Sequence, residues 1–294
     1  MSTTTLAPAI RFADLLPSLT AALSFSSVDI LIKVVYASGM GVMSLITLRG
    51  VLVVAFMWVW LRLAPPPVRH NKRERLVALG LGVLFAVTMF GLLQAIALLP
   101  VSIAILAYFV YPLLTGILGA VTGVDRLGWR ALLAAAAAFL GLALMLGAPY
   151  GDLSVPGLAC AFLAASGRVV SLLVTRAYLN GTDARLTTWY SMVPSTAMFI
   201  AASVWAGAWT VPQTGLGWFA FVGVSMGSTL STWMIYVSTN RVGPFRTALT
   251  MNLEPLVTTT ASIALLGEVL SPLQATGAAV MLASLCAFQF ARAR

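Results

Sequence analysis

This sequence predicts an all-α membrane protein of ten transmembrane helices, arranged as two inverted five-helix repeats with both termini cytoplasmic. Three observations carry that expectation. Hydrophobic residues make up 60% of the 294 and charged residues only 9%, with mean hydropathy +0.98. A water-soluble domain carries roughly a quarter charged residues, so this chain cannot wet its own surface. Ten segments have the roughly 20 mostly apolar residues that a spanning helix needs. Finally, the chain resembles itself at a shift of 143 positions. Tyr111-Pro112-Leu113-Leu114-Thr115 returns as Glu254-Pro255-Leu256-Val257-Thr258, Asp125-Arg126-Leu127 as Glu268-Val269-Leu270, and Lys33 maps onto Arg176. Between 112 and 145 the shift gives seven identities in 34 ungapped positions. An odd number of spans per copy turns the copies upside down relative to each other.

The ten spans are 15–36, 42–62, 76–99, 101–123, 129–148, 156–179, 186–206, 216–239, 244–266 and 272–290. The run from Leu76 to Val124 is too long for one crossing at about 1.5 Å per residue. Leu99-Pro100 is its natural break, because proline removes a backbone donor. Other breaks carry turn chemistry: Pro65-Pro66-Pro67, Gly147-Ala148-Pro149, Asn180-Gly181 and Val242-Gly243-Pro244. The organisation that follows is a cytoplasmic segment 1–14, a first repeat 15–148, an outer connection 149–155, a second repeat 156–290 and a basic tail 291–294. Residues 2–10 lack a basic region followed by a cleavage site, so the first span is expected to be retained.

Charge sets the orientation. With the N-terminus inside, 14 of the 17 Lys and Arg residues fall on the inner side, five of them between Arg62 and Arg75. The outer loops hold none, and Lys33, Arg49 and Arg168 lie within spans. Such asymmetry is the positive-inside signature, and it makes the Asn180-Gly181-Thr182 glycosylation pattern a false positive. The net charge of +9 is explained the same way. No basic stripe or aromatic-basic motif points to nucleic acid. The setting is thus an integral membrane protein, of bacterial inner-membrane type. Cys160 and Cys286 fall inside spans and predict no disulfide.

Ionisable residues at bilayer depth are costly and need a partner or a wet cavity. There are five: Asp29, Lys33, Arg49, Arg168 and Glu254. Asp29 and Lys33 stand four apart on one helix face, either as a self-neutralising pair or as part of a substrate or proton path. Arg49 either pairs with Asp29 or attracts a carboxylate. Arg168 and Glu254, at similar depth, either form a strut or leave Glu254 free to titrate. Pro112 and Pro255 sit mid-span in matched positions and predict kinks, for gating or for packing.

Polar and aromatic residues recur at helical spacing: Tyr108, Tyr111 and Thr115; Thr247, Thr250, Glu254 and Thr258; Ser225, Ser228, Thr232 and Tyr236 with Trp233; Thr187, Tyr190, Ser191 and Pro194; and Gln94 alone in span three. They either bond between helices or wall a cavity. The cavity set is Gln94, Tyr108, Tyr111, Thr115, Tyr190, Ser191, Ser228, Thr232, Trp233, Tyr236, Thr250 and Thr258. Such walls suit a small zwitterion with an apolar side chain. Small residues in span five (Ala134 to Ala138, Gly141) and span ten (Gly277, Ala279, Ala283) pack either the two repeats or a second subunit. The internal repeat is sufficient for a monomer, and a homodimer stays open.

These residues also carry a resemblance. The pattern around Lys33, Arg49, Tyr111-Pro112, Glu254-Pro255 and Gly267-Glu268 resembles the EamA-type drug/metabolite transporter superfamily over essentially the whole chain. Leu249 to Pro255 followed by Gly267-Glu268 is the most specific part. Within it, Tyr108 to Thr115 is similar to the fourth span of the YddG group. The first repeat departs from the pattern, with Val124-Asp125 and Tyr111 where the second has Gly267-Glu268 and Glu254. The resemblance implies a secondary transporter that exports small neutral metabolites. Amino acids of aromatic, methionine or threonine type are the expected substrates. Transport would proceed by alternating access around a midplane cavity, as in other inverted-repeat transporters. The alternative is export of drug-like compounds or nucleosides.

Other classes fit less well. Gly223-Val224-Ser225-Met226-Gly227 matches a nucleophile elbow and leaves an intramembrane hydrolase as a remote alternative. The only histidine, His70, is expected far from Ser225. No Walker A, HExxH or Cys/His cluster is present, so neither cofactor nor metal is expected. A channel would need rings of like groups.

Overall fold

The computed structural model describes residues 12–99, 101–125, 129–146, 154–207, 209–266 and 271–290. Pro100, Arg126, Gly267, Glu268, the 147–153 connection and both extreme termini lie outside them. Among the described residues every regular element is a helix. They are α1 Phe12–Ala37, α2 Val42–Leu63, α3 Lys72–Leu98, α4 Val101–Tyr108, α5 Tyr111–Val121, α6 Trp129–Leu146, α7 Val155–Tyr178, α8 Ala184–Ala206, α9 Gly215–Val242, α10 Pro244–Thr250, α11 Leu253–Leu266 and α12 Pro272–Phe290. Among the described residues, seven helical stretches, one of them Ile103–Val121, are long and apolar enough to cross a membrane.

The segments expected at 101–123 and 244–266 are each two helices, not one kinked helix. The breaks fall at Phe109-Val110 and Met251-Asn252, and proline explains both. Its ring clashes with the carbonyl four residues back and it has no N–H to donate. For Pro112 that carbonyl belongs to Tyr108, for Pro255 to Met251, so neither helix continues past that point. Each proline instead sits in the first turn of the following helix. There a missing N–H leaves no bond unmade.

The helix ends are built from ordinary caps. Asn71 and Glu74 form a reciprocal capping box at α3, with Glu74 N–H donating to Asn71 Oδ1 over 2.9 Å and Asn71 N–H to Glu74 Oε2 over 2.8 Å. Asp183 caps α8 by accepting from the Arg185 N–H at 2.8 Å, and the Arg185 guanidinium returns to it at 2.7 Å. Burial alone would raise the Asp183 carboxyl, but Arg185 outweighs it and holds the group below its ordinary range. Its contribution is therefore present above the ordinary carboxylate value of about 4 and is lost as pH falls through the depressed one. Asp183→Ala is expected to cost about 1 kcal/mol, read as a lower melting temperature at neutral pH and a smaller difference in strong acid.

The helices pack in swapped pairs. α1 lies along α9, and α3 lies along α7; α2 meets α8, and α6 meets α12. Renumbering the helices within each half maps every pair onto itself or onto its counterpart, as a pseudo-two-fold axis between the halves would produce. α6 and α12 approach each other closely, main chain to main chain. A Cβ on Gly141 would meet Met281 N at 2.6 Å and Gly277 O at 2.7 Å; one on Gly277 would meet Met145 N at 2.4 Å and Gly141 O at 2.6 Å. The small residues of these two helices therefore join the two halves of one chain.

Candidate functional site

Between the halves lies a cavity of about 320 Å³, walled by α1, α2, α3, α4, α5, α7, α8, α9, α11 and Phe109 of the break between α4 and α5. Four of the five expected buried charges line it: Asp29, Arg49, Arg168 and Glu254. Lys33 does not, being exposed on the outer face of α1. The Asp29–Lys33 pair is not formed. Asp29 faces α11 instead and accepts a hydrogen bond from Thr258 Oγ1 at 3.1 Å.

The other expected pairs are also absent. Arg49 donates to Ser228 Oγ at 3.2 Å rather than to Asp29. Arg168 makes no direct ion pair with Glu254. Its guanidinium stands over the Tyr111 ring, 5.8 Å from the centroid, and its buried Nε has no protein partner. Glu254 is anchored through its main chain, whose carbonyl accepts from Ser26 Oγ at 3.0 Å. Opposite charges thus share one cavity without pairing. Tyr108 and Tyr111 lie 5.3 Å apart beside them, and Phe109 lies 5.7 Å from Tyr111.

Of the expected cavity wall, Tyr108, Tyr111, Ser228 and Thr232 line the cavity. Thr258 touches it only through Asp29. The rest lie elsewhere. Thr115 donates to the Tyr111 carbonyl one turn back at 2.7 Å, and Thr250 does the same to Arg246 at 2.8 Å. Ser and Thr hydroxyls satisfy themselves on their own helix in this way, so their spacing does not require a cavity. The Tyr236 hydroxyl donates to Ser191 Oγ at 3.2 Å. Trp233 meets Trp60 edge-on at 4.8 Å. Tyr190 stacks on His70 at 5.7 Å, in a different pocket. Gln94 is half-buried on α3 away from the cavity. Pro112 and Pro255 act at the helix breaks described above.

Sequence reasoning missed the apolar wall of Phe25, Phe85, Met89 and Phe199, and the hydroxyls Ser195 and Thr196. On α8 the signal was present: Met192, Ser195, Thr196 and Phe199 follow i, i+3, i+4, i+7. The expected stripe of Thr187, Tyr190, Ser191 and Pro194 lies on the neighbouring face. That face takes α3, since a Cβ on Gly82 would meet Ser191 O at 2.0 Å and Pro194 Cγ at 2.6 Å.

Ser225 is no nucleophile elbow. It is fully buried in the middle of α9 and donates to the Phe221 carbonyl at 2.8 Å, while His70 keeps company with Tyr190 and Thr187. Ser225→Ala is expected to leave transport within about twofold, as a substitution outside the cavity wall should. A transport rate reduced tenfold would give the hydroxyl a role this geometry denies it.

No curated protein matches the sequence. Twenty-eight chains of solved structures do match. One, described only as the crystal structure of a protein, aligns over 94% of this chain and 98% of its own, with a TM-score of 0.80 and 19% identity. At that identity the likeness is one of fold. The model of the EamA-like transporter family matches twice, over residues 13–147 and 155–288. These two matches take in both halves and all the cavity's walls, and the chain belongs to the EamA-like transporter family, a family of membrane transporters.

Proposed function

We propose that this chain exports small zwitterionic metabolites, amino acids with an apolar or aromatic side chain, by alternating access of its two halves. One observation carries the reading: Arg168 and Glu254 line the same cavity without pairing. A guanidinium with an unmatched N–H suits a carboxylate, and a carboxylate suits an ammonium group. A zwitterion supplies both ends, and Phe25, Phe85, Tyr108, Tyr111 and Phe199 offer faces for its side chain. About 320 Å³ sits at the small end of the roughly 300–1,000 Å³ of small-molecule sites. The similarity of Tyr108 to Thr115 to the YddG group points the same way.

The topology proposed with it has ten crossings, each broken pair α4–α5 and α10–α11 counting as one, and both termini in the cytoplasm of a bacterial inner membrane. Its support is the placement of 14 of 17 basic residues at one side. Asp29 and Glu254 are the cavity's carboxylates, so proton coupling, where it occurs, runs through one of them.

The test is uptake of a labelled amino-acid panel into proteoliposomes, with protein-free vesicles as control. Saturable uptake of aromatic amino acids, methionine or threonine, blocked by unlabelled competitor, is expected. Folded protein that moves none of them, while moving a nucleoside or a drug-like compound, overturns the substrate class. If Asp29→Asn and Glu254→Gln both retain pH-dependent uptake, neither carboxylate couples protons.

A further inference from the structure

A second cavity, about 680 Å³, opens where α2 ends and α8 begins, roofed by the proline turn that leads into α3. It has no connection to the substrate reading above. Its wall carries Arg62, Arg69 and Arg75 and not one carboxylate. The two acids nearby are already committed, Glu74 to the capping box and Asp183 to Arg185. The three arginines are exposed, yet they share the wall of one concavity with the rings of Trp58, Trp189 and Tyr190.

Two rings on this wall hold buried polar atoms without protein partners. His70 is only 4% exposed, and its Nδ1 is unmatched. The Trp189 Nε1 is likewise buried and unmatched. A buried polar group left unpaired costs about 1–3 kcal/mol, so both call for a ligand or water. The Trp58 ring is 49% exposed and carries Arg62 against it at 5.1 Å. An indole and a guanidinium at a helix end are what a lipid headgroup meets at the membrane interface. Basic pockets between membrane helices are suited to phosphate headgroups.

We propose that this pocket binds a phosphate ester, and specifically the headgroup of an anionic phospholipid. The arginines meet the phosphate oxygens, and Trp58 packs along the first carbons of the glycerol and acyl chains. Occupancy ties the α2–α3 turn to the start of α8, so it joins the two halves of the chain at one membrane edge.

Full-length protein in nanodiscs is titrated with a fluorescent phosphatidylglycerol, with phosphatidylcholine as the neutral comparison and glycerol 3-phosphate as the water-soluble one. Expected is saturable binding of one phosphatidylglycerol per chain, at least about tenfold tighter than phosphatidylcholine. Each of Arg62→Gln, Arg69→Gln and Arg75→Gln should weaken it about fivefold, a factor in line with one basic group at a membrane surface. Lys72→Gln, in the same basic stretch but outside the pocket, should not. Direct binding of glycerol 3-phosphate with the same sensitivity to the arginines would keep the phosphate site and move its source to solution. Equal affinity for both lipids, or a loss with Lys72→Gln as large as with Arg69→Gln, overturns the proposal in favour of diffuse attraction. The three arginines are exposed, so their variants should fold.

Discussion

Arg168→Met is expected to abolish saturable transport, a loss of at least about thirtyfold in initial rate. Removing one member of a buried charge set costs about 2–5 kcal/mol, and about 1.4 kcal/mol is a factor of ten. Two losses combine here. The cavity gives up a buried donor unmatched by any protein group, which in the proposed function meets a substrate carboxylate. Glu254 is then left in the cavity with no nearby positive charge on α7. Arg168→Lys restores the charge without the planar fork and is expected to recover only part of the rate. The double variant Arg168→Gln/Glu254→Gln removes both charges, so it should melt at a higher temperature than either single variant yet transport no better. Full-rate transport by well-folded Arg168→Met protein would remove the zwitterion site from consideration.

Gly277→Ala has the second large effect, on stability. Most overpacked substitutions cost about 1–3 kcal/mol, because side chains can turn aside. Here the added carbon would stand 2.4 Å from Met145 N and 2.6 Å from Gly141 O. Both are main-chain atoms of α6, and main chain cannot turn aside. The helices must separate, so a cost of about 3 kcal/mol or more is expected, read as a lower melting temperature and a weaker monodisperse peak. Gly141→Ala meets the reciprocal obstacle and should match it. Ala283→Val, on the exposed side of α12, should be neutral. A Gly277→Ala protein as stable as its parent would mean that α6 and α12 do not cross at this spacing.

Helix placement was legible from the chain because hydropathy decides which segments avoid water, and that information is local. The consequence of each proline was legible only in part. Its clash reaches back to residue 108 or 251, so the break precedes the proline, and a rule applied at the proline itself misplaces it. The cavity was harder to read. Thr115, Thr250 and Ser225 look like cavity hydroxyls from their spacing, yet each spends its hydrogen on the carbonyl one turn back. Phe25, Phe85 and Phe199 look like lipid-facing anchors, yet they line the interior. In a bilayer both faces of a helix are apolar, so periodicity does not say which one turns inward. The partners of the charges were not legible at all. Arg49 found Ser228, 179 residues away, and no spacing rule reaches that far.

The swapped pairing sets a timetable for synthesis. α1 leaves the ribosome first, but its long partner α9 and the Thr258 hydroxyl that meets Asp29 come much later, the latter 229 residues on. At roughly 5–20 residues per second that interval is on the order of 10–45 s. Throughout it a carboxyl group stands in hydrocarbon, at a cost of about 2.5–3.5 kcal/mol, with no native neighbour. The nascent first helix is therefore held by the insertion machinery or by its own hydrophobicity until the second half arrives. A ribosome that stops before α9 leaves a chain with an unmet acid and an uncovered face.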